Sequence, residues 1–297
     1  AQKSADFPPL PVMKPKSVSF LPAKLAKAKK APKAQPFKSV SSDCSGRQTA
    51  YRSKCGDPNI IKASFVPSAK PKPAKRRPMI VIDAGHGGKD PGTQSKDGLY
   101  EKHVALQVSI ALARKLERTG RYDVRLTRSD DYYLTLDERV AMAAMMDGDY
   151  FVSVHADHHH KPSTRGATIY TLSEKSSDAE AEKAAQRENG GQKFGLQLKG
   201  VDQDATEALV NLGLQAQTNK AHKAAKLLVD HLRSRWPLHK KPIKSAGFRV
   251  LKSTEMPSLL LEVGYMSNKT DLALMREPYD QNRLAGLLAK GIDAYFK

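Results

Sequence analysis

From Met79 onward, short apolar runs alternate with longer stretches of helical period. "MIVIDA" (79–84) reads as a buried strand. "EKHVALQVSIALARKLERTG" (101–120) carries Val104, Leu106, Val108, Ala111, Leu112 and Leu116 at helical spacing, which predicts an amphipathic helix stopped at Gly120. "YDVRLTR" predicts a strand. "LTLDERVAMAAMM" opens on Thr135-Leu136-Asp137-Glu138, a capping box that starts a helix. "DYFVSVH" (149–155) and "GATIYTL" (166–172) predict strands, and 207–236 a long helix. "FRVL" (248–251) and "SLLLEVG" (258–264) are expected as strands before a closing helix over "YDQNRLAGLLAKGIDAYFK". This alternation implies an α/β fold: a mixed, mostly parallel sheet covered by helices on both faces. No internal repeat is visible.

Before residue 78 the periodicity vanishes. Residues 1–77 hold 18 Lys/Arg against Asp6, Asp43 and Asp57, so this stretch carries +15 of the chain's formal +19. Twelve of the 18 prolines fall within residues 1–78. Such a segment buries too little apolar surface to offset backbone ordering. Residues 1–77 are therefore expected to be a basic, flexible Pro/Lys-rich N-terminal tail or linker, and 78–297 the folded domain. With the charge confined to the tail, nucleic acid is not the expected partner of the domain. Cys44 and Cys55 suit a disulfide in an oxidising compartment, two unrelated surface thiols being the plainer reading. No apolar run approaches a membrane span. The chain opens on Ala1 without a charged-then-apolar leader, as expected if a signal peptide is removed or the sequence is trimmed.

Ligands of such sheets gather beyond the carboxyl ends of strands. His86 follows "IVIDAG" in a glycine-rich turn, where the glycines let the backbone bend sharply. His155 ends "YFVSVH", Glu262 sits late in "SLLLEVG", and Glu101 opens the first helix. Two histidines and a carboxylate are a common zinc set, and a second carboxylate beside the metal can take a proton from water. Read singly, His86 fits a turn residue, His155 a satisfied core histidine, and Glu101 a helix-dipole partner. Glu262 is harder to dismiss, because an unpaired carboxylate inside Leu259-Leu260-Leu261-Glu262-Val263 costs several kcal/mol to bury. Asp83 is a candidate to orient a ligand. His158-His159-His160 read as a solvated loop and His103 as a helix-surface residue.

Together, "VIDAGHGGKDPGT", Glu101, "SVHAD" and "PSLLLEVGYMSN" resemble the zinc-dependent N-acetylmuramoyl-L-alanine amidases, the peptidoglycan amidases, in family order over about residues 79–297. The resemblance implies a mixed six-stranded α/β domain and one Zn2+ held by His86, Glu101 and His155. Glu262 would be the catalytic glutamate, with Arg128 and Arg139 structural or rim-forming. It further implies hydrolysis of the amide joining N-acetylmuramic acid to L-alanine. Residues 173–206 form a polar insertion that resembles the one in cell-division amidases of the Gram-negative periplasm. In those relatives a helix covers the site, a glutamate takes the open metal position, and a LytM-like activator protein displaces it. Glu188 is the expected blocking residue and Glu182 the alternative. The expected setting is septal wall splitting in the periplasm. The tail is too short and too Pro/Lys-rich for the β-rich wall-binding domain such relatives often carry. It fits a plain linker as well as a weak electrostatic contact with anionic surfaces. The competing readings are another zinc peptidase acting on wall peptides, with no His-Glu-x-x-His helix to favour it, and a non-catalytic wall-binding protein.

Overall fold

The computed structural model describes residues 76–190, 203–233 and 235–297. The tail as far as residue 75, with Cys44, Cys55 and the disulfide expected between them, lies outside the described residues.

Six strands form one sheet: β1 (Met79–Ala84), β2 (Asp123–Leu126), β3 (Tyr150–Asp157), β4 (Ala167–Leu172), β5 (Leu238–Ala246) and β6 (Ser258–Tyr265). Their order is β2-β1-β3-β6-β4-β5. All neighbours are parallel except β4 and β6, which run antiparallel. The helices are α1 (Glu101–Glu117), α2 (Leu136–Met145), α3 (Ala179–Glu188), α4 (Gln203–Leu232), α5 (Lys269–Arg276) and α6 (Pro278–Tyr295).

Strand alternation builds two apolar layers. Ile80, Ile82, Val152, Val154, Leu259 and Leu261 face one cluster with Val108 and Leu112 of α1, Leu228 of α4 and Leu288 of α6. Val81, Phe151 and Leu260 face the other, with Ala143 of α2 and Ala181, Ala184 and Ala185 of α3. The expected capping box is formed: the Thr135 side chain accepts from the Glu138 backbone, and the Glu138 carboxylate accepts from the Thr135 backbone. It starts α2 where the sequence indicated.

One expectation fails at one edge, and one strand there was not foreseen. Residues 248–251 are not a strand: Arg249–Leu251 make a single 3-10 turn that buries Val250 and Leu251 against the α2/α3 side. The strand lies earlier, in "LHKKPIKSA", which pairs only with β4. An edge strand tolerates lysines and a proline that a central strand would reject, so its polarity hid it. The insertion does contain the expected helix, α3, whose first turn is capped by Asp178 accepting from the Ala181 N–H.

Candidate metal and catalytic site

The face that carries Val81, Phe151 and Leu260 turns polar toward the ends of β1, β3 and β6. Period-two alternation brings Asp83, Ser153, His155, Asp157 and Glu262 to that same face. His155 and Glu262 are register partners on adjacent parallel strands. The chain leaves β1 through a turn in which His86 itself adopts the left-handed conformation (φ 59°), followed by Gly87 and Gly88. The sharp bend expected of the glycines is thus shared by the histidine. Gly85 serves a different end: a Cβ there would lie 2.4 Å from His155 Cε1, so its bareness makes room for the imidazole.

The side chains converge. His86 Nε2 lies 3.0 Å from Glu101 Oε1 and 3.4 Å from Glu188 Oε2. His155 Nδ1 lies 3.1 Å from Glu101 Oε1 and 3.0 Å from Glu188 Oε2. One donor atom from each of these four residues falls within 4.8 Å of the others. The surrounding hydrogen bonds set both rings the same way. His86 Nδ1 lies 2.9 Å from the Asp90 carboxylate; in the tautomer that donates Nδ1–H to Asp90, Nε2 presents its lone pair to the cluster. That buried Nε2 makes no hydrogen bond. Ser153 donates to Asp83 (2.6 Å), so its Oγ accepts from His155 Nε2 at 3.1 Å and Nδ1 faces the cluster, 3.1 Å from Glu101 Oε1. Glu101 is aimed by the N–H groups of Thr93 (2.9 Å) and Ala156 (3.0 Å).

Electrostatics point the same way. Burial works against a charged His86, but Glu101, Asp90 and Glu188 outweigh it and hold the ring well above the usual imidazole range. Glu188 is held low despite burial, by His155 and His86. Two carboxylates in this pocket demand about two positive charges. One divalent ion among four lone pairs meets that demand as well as two protons do. The residues present therefore fit a zinc-type site of nitrogen and oxygen donors.

Glu262 is fully buried, and neither of its oxygens has a hydrogen-bond partner. Burial raises its pKa well above the ordinary carboxyl value; Asp157, Glu188 and Glu101 add to this and Arg187 only partly offsets it. A cleft of ≈400 Å³ opens over His86, His155 and Glu188, walled by Tyr133, Leu134 and Asp137.

Of the two glutamates of the insertion, Glu188 joins the cluster and Glu182 does not. Glu182 is tied to Ser176 and Gln186 on the exposed side of α3. It sits six residues before Glu188, too far round and along the helix to share its target. Arg128 and Arg139 both hold backbone, and Arg139 also lines the cleft. Arg128 donates to the carbonyls of Ala84 and Gly85, and Arg139 to Asp83 and to the carbonyls of Ala84 and His86. Asp83 acts as expected of an orienting residue, through Ser153 onto His155. His103 is exposed on α1, and His158 and His160 are exposed beyond β3. Sequence reasoning missed Asp90 and Ser153, whose only signal was their spacing from the two histidines.

A largely parallel α/β sheet with a two-histidine, two-carboxylate pocket beyond its strand ends defines an α/β protein able to hold a metal ion. The N-acetylmuramoyl-L-alanine amidase family model matches residues 80–294, and the chain belongs to that family. It is similar to N-acetylmuramoyl-L-alanine amidase AmiC of Neisseria meningitidis serogroup B, 34% identical over 79% of this chain and 57% of that protein. It is also similar to AmiA of Escherichia coli strain K12, 33% identical over 77% of this chain and 79% of that one. The chain spans 57% of the length of the AmiC relatives from Neisseria and Escherichia coli O6:H1. Among solved structures it is similar to amidase AmiC2 of Nostoc punctiforme, with 26% identity, a TM-score of 0.53, and 75% of this chain and 99% of that chain covered.

Proposed function

We propose that residues 78–297 are the catalytic domain of a zinc-dependent peptidoglycan amidase, which hydrolyses the amide between N-acetylmuramic acid and L-alanine. The observation that carries this is the convergence of His86 Nε2, His155 Nδ1 and the Glu101 carboxylate beside the unpartnered Glu262. When bound, zinc supplies Lewis acidity toward water and the amide carbonyl. The protein's own residues do the rest. Asp90 and the Asp83–Ser153 pair hold the two imidazoles in the ligating tautomer. Glu262 takes a proton from the attacking water. As the carbon–nitrogen bond breaks, Glu262 returns that proton to the amine of L-alanine, leaving the lactyl carboxylate on the sugar.

In this reading Glu188 occupies the open metal position and α3 is an autoinhibitory plug, removed by a LytM-like activator. The setting is periplasmic wall splitting at cell separation, with the basic tail as linker or as a weak contact to anionic surfaces. Among the described residues no helix is long and apolar enough to cross a membrane. The test is digestion of purified peptidoglycan with and without chelator, with products identified by mass. Free stem peptides beginning at L-alanine, abolished by chelator, are expected. Cuts inside the stem peptide would replace the amidase with a peptidase.

A further inference from the structure

The start of α3 is held in a site of its own, away from the metal cluster. Glu180 accepts from Lys244 Nζ at 2.5 Å and from the Tyr265 hydroxyl at 3.0 Å. Lys244 comes from β5 with a side chain only 1% exposed, and Tyr265 from the end of β6. The ring nitrogens His239 Nε2 and His159 Nε2 stand 3.8 and 3.9 Å from the same carboxylate. Each ring accepts a backbone N–H at Nδ1, from Lys241 and Lys161 respectively, so each directs an Nε2–H toward Glu180. A cavity of ≈340 Å³ opens beside Glu180, between α3 and His158–His160.

This is more than a helix needs to stay in place. Burying an ion pair gains little over an apolar contact of the same size. Apolar side chains at both 180 and 244 would hold α3 about as well. What the lysine, the hydroxyl and the two imidazoles share is recognition of a carboxylate, built on rigid strands and on the chain just after β3. Glu188, at the other end of the helix, points into the metal cluster. Eight residues of helix separate the two glutamates by about 12 Å along its axis. An extended peptide covers that distance in three to four residues.

We propose that Lys244, Tyr265, His239 and His159 form a carboxylate-binding subsite for the peptide arm of the substrate, and that Glu180 fills it as a stand-in. On the amidase reading above, on which this rests, α3 mimics its substrate at two points. Glu188 lies where the scissile amide goes, and Glu180 where a carboxylate on the third or fourth peptide residue goes. Displacing α3 frees both together.

The test uses the full chain and two muramoyl-peptides identical except that the third residue's carboxylate is free or amidated. Glu180→Gln is expected to cut the free acid about 10–100-fold better in kcat/KM, carried by KM, as a charge-assisted hydrogen bond would give. Glu180→Gln/Lys244→Met, which removes both charges and leaves Asp178 its bond from the Ala181 N–H, loses that preference to within twofold. Glu180→Gln/Lys244→Arg keeps it. Equal preference in all three chains, with the basal rate raised alike, makes Lys244 a plain latch and overturns the proposal. If none of the chains cuts either substrate even when Glu188→Ala is added to remove the plug, the amidase reading falls, and calorimetry with the two free peptides decides the subsite. Binding of the acid but not the amide by Glu180→Gln sustains it, and equal binding of both removes it.

Discussion

Gly85→Ala isolates the contact on which the position of His155 depends. The backbone of Gly85 is not left-handed, so alanine meets no conformational penalty there. Its Cβ would sit 2.4 Å from His155 Cε1, 2.6 Å from Nε2 and 2.7 Å from Nδ1, where ordinary contact begins at 3.4 Å. The imidazole must therefore retreat by about 1 Å. It has no slack: Ser153 lies 3.1 Å from one nitrogen and Glu101 3.1 Å from the other. Metal–ligand distances tolerate only about 0.2 Å. Zinc affinity is expected to fall about 100-fold, roughly 2.7 kcal/mol, and overpacking to cost the metal-free chain about 1–3 kcal/mol. Competition titration against a chromophoric chelator reads the first, and denaturant unfolding of the apo-protein the second. Gly286→Ala in α6 is the control, since nothing lies within 4 Å of its Cβ and a helix interior gains about 1 kcal/mol from alanine. A Gly85→Ala chain that binds zinc within twofold of the parent would refute both the packing argument and the assignment of His155.

Three further outcomes are expected. Glu262→Gln keeps zinc at one per chain by metal analysis but lowers kcat about 10²–10⁴-fold, the usual worth of a positioned proton acceptor; undiminished turnover would remove Glu262 from the reaction. Glu188→Ala raises basal hydrolysis about 10–100-fold if the plugged state leaves roughly 1–10% of chains open, whereas Glu182→Ala leaves the rate as it was; equal effects of the two would sink the plug. Asp83 is buried, which raises its pKa, yet Arg139, Ser153 and Thr127 more than compensate and hold it below the ordinary value. Its stabilisation is thus complete above the unfolded pKa of about 3.9 and lost as pH falls through the lower folded one. Thermal melts should show Asp83→Asn about 3–5 kcal/mol less stable near neutrality, with the gap closing below about pH 4; a gap unchanged at pH 2 would contradict the pairing with Arg139.

Much of this was legible because local and global preferences agree along the chain. The apolar runs of β1, β3 and β6 are buried in the centre of the sheet, and a carboxylate inside "LLLEVG" had no ordinary reason to be there. The capping box marked the start of α2 to the residue. What was hidden depends on partners far away in sequence. β5 is polar because solvent covers its outer edge, and Lys244 is tolerated only because Asp178 and Glu180 meet it from α3. For Arg128 and Arg139 the choice between structural and rim-forming stays open until the carbonyls they hold are known. The choice of Glu188 over Glu182 turned on which end of α3 reaches the cluster, and composition says nothing of that.

The register between β3 and β6 also makes the pocket all-or-none. His155 and Glu262 sit opposite each other on two parallel strands. Because side chains alternate faces, a slip of one residue in either strand would turn its reactive group into the apolar layer beneath α1, α4 and α6. A chain that loses this register therefore loses the His155–Glu262 pairing altogether, and the site exists only with the correctly paired central sheet.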